Sequence, residues 1–118
     1  EIIVTAGGKN VIPGPLEDVL RSHPLVSQAM VLGEGRSFVS ALITLDPEVD
    51  RPEDPHTELQ GIVDEANSLV SRAEGIRQFR VLDEDFTEES GEITATQKLK
   101  RHVIEDTRSD VIEGIYSR

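Results

Sequence analysis

Two aliphatic segments on either side of a glycine-containing turn limit what this chain is able to fold into. The segments are 25–32 and 38–45, and each is a short, mostly apolar run bounded by turn residues, as expected of buried strands. The intervening residues 33–37 have the composition of a turn. The pair therefore predicts an antiparallel hairpin inside a small sheet. Because the chain has three Phe, one Tyr and no Trp, the core around this sheet must be aliphatic.

Apolar residues at helical spacing elsewhere in the chain predict helices that cover such a sheet. The longest helix is predicted over 57–74, where apolar residues, Leu69 among them, recur at helical spacing and favour packing against the sheet over a partner-binding face. The linker 46–56 before it is rich in proline and acidic residues and is predicted to be exposed and mobile. The other predicted elements are strands at 2–4 and 11–12 around a Gly-Gly turn, a helix over 14–23, a third strand at 79–86, and helices at 98–107 and 109–116, the last capped by Ser109.

The fold class predicted by these elements is α+β. A small N-terminal β-hairpin is followed by a roughly three-stranded sheet packed with helices. A chain of 118 residues is long enough for one such domain with a modest core.

The charge balance narrows the classes of partner. The chain carries 23 acidic and 12 basic side chains, for a formal net charge of −11. A surface this acidic repels the phosphate backbone of DNA and RNA, and it disfavours a polybasic membrane anchor. There is no cysteine, and no apolar run reaches the roughly 20 residues that a membrane-spanning helix needs. Neither a nucleic-acid partner nor a transmembrane segment is therefore expected.

A basic cluster stands out against this acidic background. The lysines of the chain are Lys9, Lys98 and Lys100, and two of them lie beside Arg101 at the end of the segment 91–101. A flexible loop rich in Gly and Thr precedes Lys98, so that its ammonium group is presented to an anion such as a phosphate. The alternative is a solvated Lys/Arg run at the start of a helix, and charge alone leaves both interpretations open.

The segment Gly7-Gly8-Lys9 invites comparison with a phosphate-binding loop. The Walker pattern requires an earlier glycine and a Ser or Thr after the lysine, whereas Asn10 follows here. The interpretation as a tight hairpin whose bare backbone approaches a ligand remains open, because glycine permits close approach.

The histidines are too scattered for the spacing of metal ligands, so no metal site is predicted. They are His23, His56 and His102.

The two ends of the chain, taken together, resemble one family. Residues 1–17, from Glu1-Ile2-Ile3-Val4 through Pro13-Gly14-Pro15-Leu16-Glu17, closely resemble the start of the C-terminal domain of long-chain fatty-acyl-CoA synthetases. Residues 91–101, Gly-Glu-Ile-Thr-Ala-Thr-Gln-Lys-Leu-Lys-Arg, resemble the terminal lysine motif of the same adenylate-forming enzymes. The order and separation of the motifs also fit, so the resemblance covers essentially the whole chain.

This resemblance implies that the chain is a mobile C-terminal lid and that a large N-terminal domain is absent from it. The start at Glu1, without Met, agrees with a domain fragment. The implied division is a hairpin at 1–13, an α/β body at 14–86, and the catalytic-lysine loop with the C-terminal helices at 87–118. The full-length enzyme would activate a fatty acid with ATP to acyl-adenylate and then transfer the acyl group to CoA. The isolated domain is expected to be inactive.

The resemblance also implies roles for particular residues. Lys98 aligns with the lysine that enters the active site for adenylation and contacts ATP and the adenylate. Gly7, Gly8, Lys9 and Asn10 align with the hairpin that approaches the pantetheine arm of CoA in the second step. ATP and Mg²⁺ are expected to bind mainly in the N-terminal domain, with CoA as co-substrate.

The expected partners are the N-terminal domain, ATP, fatty acid and CoA, together with a lysine acetyltransferase acting on Lys98. The expected location is cytoplasmic, with peripheral attachment to a membrane left open.

Many relatives have glycine before the lysine, whereas this chain has Gln97, a departure typical of the long-chain branch. The linker 46–56 is short for that branch. The alternative function is a free-standing acidic α+β interaction module derived from such a lid.

Overall fold

The chain forms a small hairpin and a three-stranded sheet covered by helices. The computed structural model describes residues 1–117, and Arg118, the end of the predicted segment 87–118, lies outside them. The α+β prediction is confirmed. The elements are β1 (Ile3–Val4), β2 (Asn10–Val11), α1 (Pro13–Arg21), β3 (Val26–Leu32), β4 (Val39–Leu45), α2 (Pro55–Asn67), a 3₁₀ turn (Arg72–Glu74), β5 (Ile76–Leu82), α3 (Arg101–Thr107) and α4 (Ser109–Tyr116).

The main sheet has the order β3-β4-β5. Strands β3 and β4 pair antiparallel, as predicted, with Ala29 opposite Ile43. Strand β5 pairs parallel to β4, and α2 lies in the connection between them. Strand β4 is therefore central, and its residues 39–44 are buried because both faces of the sheet are covered. This burial explains why segment 38–45 is apolar almost throughout.

Alternate residues of the sheet enter two separate cores. Ala41 and Ile43 face one core, which is completed by α1 and α2. Leu42 faces the other, where it meets Ile104 of α3 and Ile112 of α4. The two-residue periodicity of a strand thus divides the helices between the two faces of the sheet.

The predicted N-terminal hairpin is also present. Strands β1 and β2 pair antiparallel, with Ile3 opposite Val11. The hairpin is held against the turn between β3 and β4, because the backbone N–H of Ala6 donates to the carbonyl of Arg36 at 2.8 Å and that of Gly35 donates to the carbonyl of Val4 at 2.9 Å. The hairpin is therefore fixed to the sheet through this turn.

The long helix predicted over 57–74 is wrong at both ends. Helix α2 begins at Pro55, where the carboxylate of Asp54 accepts a hydrogen bond from the backbone N–H of Thr57 at 3.2 Å. It ends at Asn67, whose side chain pairs with both backbone groups of Ile76. Leu69, placed by periodicity on the buried stripe, lies beyond this end and is 65% exposed.

The C-terminal half departs from the predicted boundaries in three places. Strand β5 runs from Ile76 to Leu82 instead of over 79–86, because pairing with β4 extends it through the polar residues after Gly75. Helix α3 starts at Arg101, so the predicted helical start at Lys98 is wrong. Ser109 is the first residue of α4 and its side chain makes no capping bond.

No helix among residues 1–117 is long and apolar enough to cross a membrane.

Candidate functional site

Lys98 lies at the end of a narrow loop instead of on a helix. Ile93 and Leu99 form an antiparallel bridge that closes the loop 94–98. The backbone N–H of Thr94 donates to the carbonyl of Lys98 at 2.9 Å, and the hydroxyl of Thr94 accepts from the N–H of Lys98 at 3.0 Å. The backbone of Lys98 is thus held in place while its side chain is exposed to solvent.

The base of the loop is clamped by a buried carboxylate. Glu92 is 2% exposed, and its side chain accepts hydrogen bonds from Arg108 Nε at 2.9 Å, Thr107 Oγ1 at 2.5 Å and Ser90 Oγ at 2.7 Å. Burial alone would raise the pKa of Glu92, but these donors outweigh it and hold the pKa at about 2. The backbone carbonyl of Glu92 also accepts from the N–H of Lys100 at 2.8 Å. The clamp therefore ties the loop to the junction of α3 and α4.

A second buried ion pair lies on the other side of the loop. Arg101 donates to both carboxylate oxygens of Glu17, at 2.8 and 2.7 Å. Glu17 is 3% exposed and also accepts from the backbone N–H of Val31 at 2.7 Å. Burial disfavours the charged guanidinium, yet the bonds to Glu17 raise the pKa of Arg101 above its ordinary value. This pair connects α1, β3 and the start of α3.

A cleft of about 570 Å³ lies beside Lys98. Helix α1 contributes Glu17 and Arg21 to it, and the edge strand β3 contributes Ser27 and Gln28. The lysine loop forms the remaining side. Lys98 therefore lines a polar cleft, and its side chain is exposed to solvent. The other lining residues are Glu1, Ala29, Gln97, Leu99 and Arg101.

The hairpin tip forms a separate feature. Its turn is closed by the N–H of Thr5, which donates to the carbonyl of Lys9 at 3.0 Å, and by the N–H of Gly8, which donates to the carbonyl of Thr5 at 2.9 Å. Gly8 has φ +87°, whereas Gly7 does not lie in the left-handed region. A Cβ at either glycine would have no atom within 4 Å. All residues of the tip are exposed except Thr5, so its backbone is open to an approaching molecule.

The predicted site residues fall into two places. Lys98 lines the cleft beside α1, whereas none of Gly7, Gly8, Lys9 and Asn10 lines that cleft. The ammonium group of Lys9 instead lies 4.0 Å from the carboxylate of Glu74. Within residues 1–117, no group of three or more His, Asp or Glu side chains is arranged to hold a metal ion.

Sequence reasoning missed the residues that hold the site together. Glu17 and Arg101 are 84 positions apart, and Glu92 and Arg108 are 16 apart. None of them belongs to a local motif whose spacing predicts the pairing. The one signal in the sequence is that these charged residues lie among apolar neighbours. Charged residues in such positions are rarely buried unless they are paired, so each of them predicts an unidentified partner of opposite charge.

Comparison with known families decides where this arrangement belongs. The family model described as the AMP-binding enzyme C-terminal domain matches residues 1–118. The chain belongs to this family. The family resemblance drawn from the two end motifs is therefore confirmed, and the lysine loop, the cleft and the hairpin are features of an AMP-binding enzyme C-terminal domain.

Two relatives with similar sequences are long-chain-fatty-acid–CoA ligases. This AMP-binding enzyme C-terminal domain is 47% identical over 137 residues to the long-chain-fatty-acid–CoA ligase FadD15 of Mycobacterium tuberculosis, an alignment that covers 100% of the chain and 23% of the ligase. It is 32% identical to the mouse long-chain-fatty-acid–CoA ligase ACSBG1, covering 98% of the chain and 21% of that protein. The chain thus spans about a quarter of the length of these relatives. Because the alignment with FadD15 is longer than the 118 residues of the chain, that ligase carries residues in this region that the present domain lacks.

A solved structure shows the same fold. The adenylation domain of a carboxylate reductase from Mycobacterium chelonae superposes with a TM-score of 0.84 at 26% identity, covering 99% of this chain and 19% of that one. The predicted α+β architecture of an adenylate-forming enzyme C-terminal domain is confirmed by this likeness.

Proposed function

We propose that this domain is the mobile C-terminal lid of a long-chain fatty acid–CoA ligase, and that it serves both half-reactions of that enzyme. The observation that carries the proposal is the 47% identity to a long-chain-fatty-acid–CoA ligase across the whole chain. In the first half-reaction, a fatty acid and ATP give acyl-adenylate and pyrophosphate. In the second, CoA displaces AMP to give the thioester. The large domain that binds most of these substrates is the principal partner of the lid.

Lys98 is the residue proposed for the first half-reaction. Adenylation brings a carboxylate beside a polyphosphate, and negative charge increases at the α-phosphate in the transition state. A lysine ammonium group has three donors and reaches both groups of oxygens. Two features of the fold support this role: the side chain is exposed, and the backbone is fixed by Thr94. A fixed backbone leaves only the lysine side chain to be ordered when the site is assembled, which lowers the cost of reorganisation as the charge develops.

The hairpin tip is proposed for the second half-reaction. The thiol of CoA is carried on a long pantetheine arm, and a narrow channel for this arm requires walls without bulky side chains. Gly7 and Gly8 offer bare backbone at an exposed turn, and Lys9 and Asn10 follow with polar side chains. Because Lys98 and the hairpin tip do not share a cleft, the lid would rotate to present one and then the other.

The proposal extends to cofactors, partners and location. ATP and CoA are substrates of the ligase, and Mg²⁺ that accompanies the ATP would bind mainly in the N-terminal domain. An acetyltransferase that modifies Lys98 would remove the charge on which adenylation depends. ATP and CoA are cytoplasmic metabolites, so a cytoplasmic location belongs to the same proposal. No observation favours the alternative of a free-standing interaction module.

The experiment uses the full-length ligase and compares Lys98→Ala with Lys100→Ala. Both remove one exposed lysine charge from the same segment. ATP–pyrophosphate exchange with palmitate measures adenylation, and supplied palmitoyl-adenylate with CoA measures thioester formation. Lys98→Ala is expected to slow exchange by about 10²- to 10³-fold, the usual effect of losing one preorganised donor. Thioester formation should stay near normal, and Lys100→Ala should have little effect on either step. Equal losses in both steps, or from both variants, would contradict the assigned role of Lys98.

A further inference from the structure

Gln97, the residue before Lys98, has an unusual backbone conformation. Its φ is +66°, in the left-handed region, and among residues 1–117 it is the only non-glycine residue with a positive φ. A glutamine Cβ is disfavoured there, whereas glycine adopts this conformation freely. The backbone N–H of Gln97 donates to the carbonyl of Thr94 at 2.8 Å, so Gln97 is the last residue of the turn that leads into Lys98. The loop therefore contains a side chain at a position where glycine would relieve the strain.

The fold makes no use of that side chain. Gln97 is exposed, and within residues 1–117 its carboxamide forms no hydrogen bond. The carboxamide of Gln28 on the opposite wall of the cleft behaves differently, because it bonds to both backbone groups of Phe86 and to the hydroxyl of Thr44. Strained residues persist where the strain serves a function, and Gln97 lines the same cleft as Lys98.

We propose that Gln97 is a substrate-contacting residue in the adenylation step, and this inference rests on the proposed function of Lys98. The carboxamide N–H donates to an oxygen of the anion that Lys98 approaches, either the fatty-acid carboxylate or the α-phosphate of ATP. A neutral donor beside a cation adds directional binding without adding charge. Gln97 and Lys98 line the same cleft, so this donor and the ammonium group of the next residue are offered to the same anion.

Matched substitutions separate this contact from a purely conformational role. Gln97→Glu has nearly the same shape but replaces the N–H donor with a negative charge. Gln97→Met keeps the length and the Cβ without a donor. Gln97→Gly removes both the strain and the side chain. If the residue only stiffens the loop, Gln97→Met will behave like the native enzyme and Gln97→Gly will be impaired, whereas Gln97→Glu reports the effect of an added negative charge.

The measurement is ATP–pyrophosphate exchange by the full-length ligase, with palmitate and ATP varied separately. Loss of a hydrogen bond to a charged group is expected to raise a KM or lower kcat/KM about tenfold or more in Gln97→Met and Gln97→Gly, and further in Gln97→Glu. A rise in the KM for palmitate assigns the contact to the carboxylate, and a rise in the KM for ATP assigns it to the phosphate. Thioester formation from supplied palmitoyl-adenylate should be unchanged.

Two results would overturn the inference. One is native exchange kinetics in Gln97→Met, whatever the added charge does in Gln97→Glu. The other is an equal loss in the two half-reactions, which indicates damage to the loop. Lys98→Ala is assayed in parallel, so the two proposals fail separately. If Lys98→Ala loses exchange activity while the Gln97 variants keep it, only the role of Gln97 is excluded.

Discussion

Glu17 of α1 and Arg101 at the start of α3 form a doubly hydrogen-bonded ion pair inside the domain, with N···O distances of 2.8 and 2.7 Å. The side chains are 5% and 15% exposed. Arg101 also bonds to the carboxylate of Glu1 at 2.9 Å. Since Arg101 lies three positions after Lys98, this pair fixes where the lysine loop rejoins the body of the domain.

Glu17→Gln should destabilise the domain strongly, because it removes the buried charge that faces the guanidinium of Arg101 and leaves only the exposed carboxylate of Glu1 as a charged partner. Breaking a buried ion pair by removing one charge typically costs about 3–5 kcal/mol. Urea unfolding of the domain measures the loss. Asp83→Asn is the control, since Asp83 pairs with Arg51 at 3.4 Å but its side chain is 87% exposed. That change should cost less than about 1 kcal/mol. Similar losses in the two variants would contradict the structural importance of the Glu17 pair.

Acid should destabilise the domain partly through Glu92. The folded state lowers the pKa of this carboxyl to about 2, below its ordinary value, so the unfolded state binds the proton more readily. Glu92 therefore contributes its full stability above the unfolded pKa of about 4.3 and loses it as the pH falls through 2. Thermal unfolding between pH 7 and pH 2 should show native protein and Glu92→Gln converging in melting temperature at the acid end.

Glu113→Gln provides the reference for that comparison. Glu113 also pairs with an arginine, Arg36, and its pKa is lowered by the hydrogen bond, but its side chain is 64% exposed. Its removal should change the pH profile much less. Parallel pH profiles for native protein and Glu92→Gln, separated by a constant difference, would show that the ionisation of Glu92 is not linked to folding.

Much of the fold could be predicted from short-range patterns. The strands around the turn 33–37 and the N-terminal hairpin follow from aliphatic runs and glycine placement, and both lie within a residue or two of their predicted bounds. The helix over 57–74 failed because apolar periodicity continues past its true end. Asn67 stops the helix by bonding to Ile76, a contact that no local pattern reveals.

Some features of the candidate site could likewise be predicted from the sequence, whereas others depend on the packing of distant elements. Lys98 stands out in the sequence because it is one of few lysines in an acidic chain, and the glycines of the hairpin mark a turn. The clamp around Glu92 and the pair between Glu17 and Arg101 depend on how α1, α3 and α4 pack on the sheet. The left-handed backbone of Gln97 is likewise a property of the closed loop, since glutamine has no preference for it.

The isolated domain should fold but should not catalyse adenylation. Two apolar cores cover both faces of the sheet, so the domain has the packing needed for independent stability. In the proposed function, Lys98 and the hairpin supply only part of an active site, and the large N-terminal domain supplies the rest. Cooperative thermal unfolding together with no ATP–pyrophosphate exchange is the expected result. Exchange by the purified domain alone would show that the chemistry does not require another domain.

The role of the hairpin is testable at Gly7, because of its two glycines only Gly8 has the positive φ that favours glycine in the turn. Gly7 is outside the left-handed region and a Cβ there meets nothing within 4 Å, so Gly7→Leu should fold normally. Gly8 has φ +87°, and Gly8→Asn should preserve this conformation better than other substitutions. Any effect of Gly7→Leu on turnover therefore reports on what approaches the hairpin from outside the domain.

The most direct test of the two-step account is to measure both half-reactions of the full-length ligase in Lys98→Ala and Gly7→Leu. Lys98→Ala should slow ATP–pyrophosphate exchange by about 10²-fold or more and leave thioester formation from palmitoyl-adenylate near normal. Gly7→Leu should do the reverse, with near-normal exchange and a raised KM for CoA or slower thioester formation. If Lys98 and the hairpin serve separate half-reactions, the two variants will show this reciprocal pattern. Loss of the same half-reaction in both variants, or of neither, would contradict it.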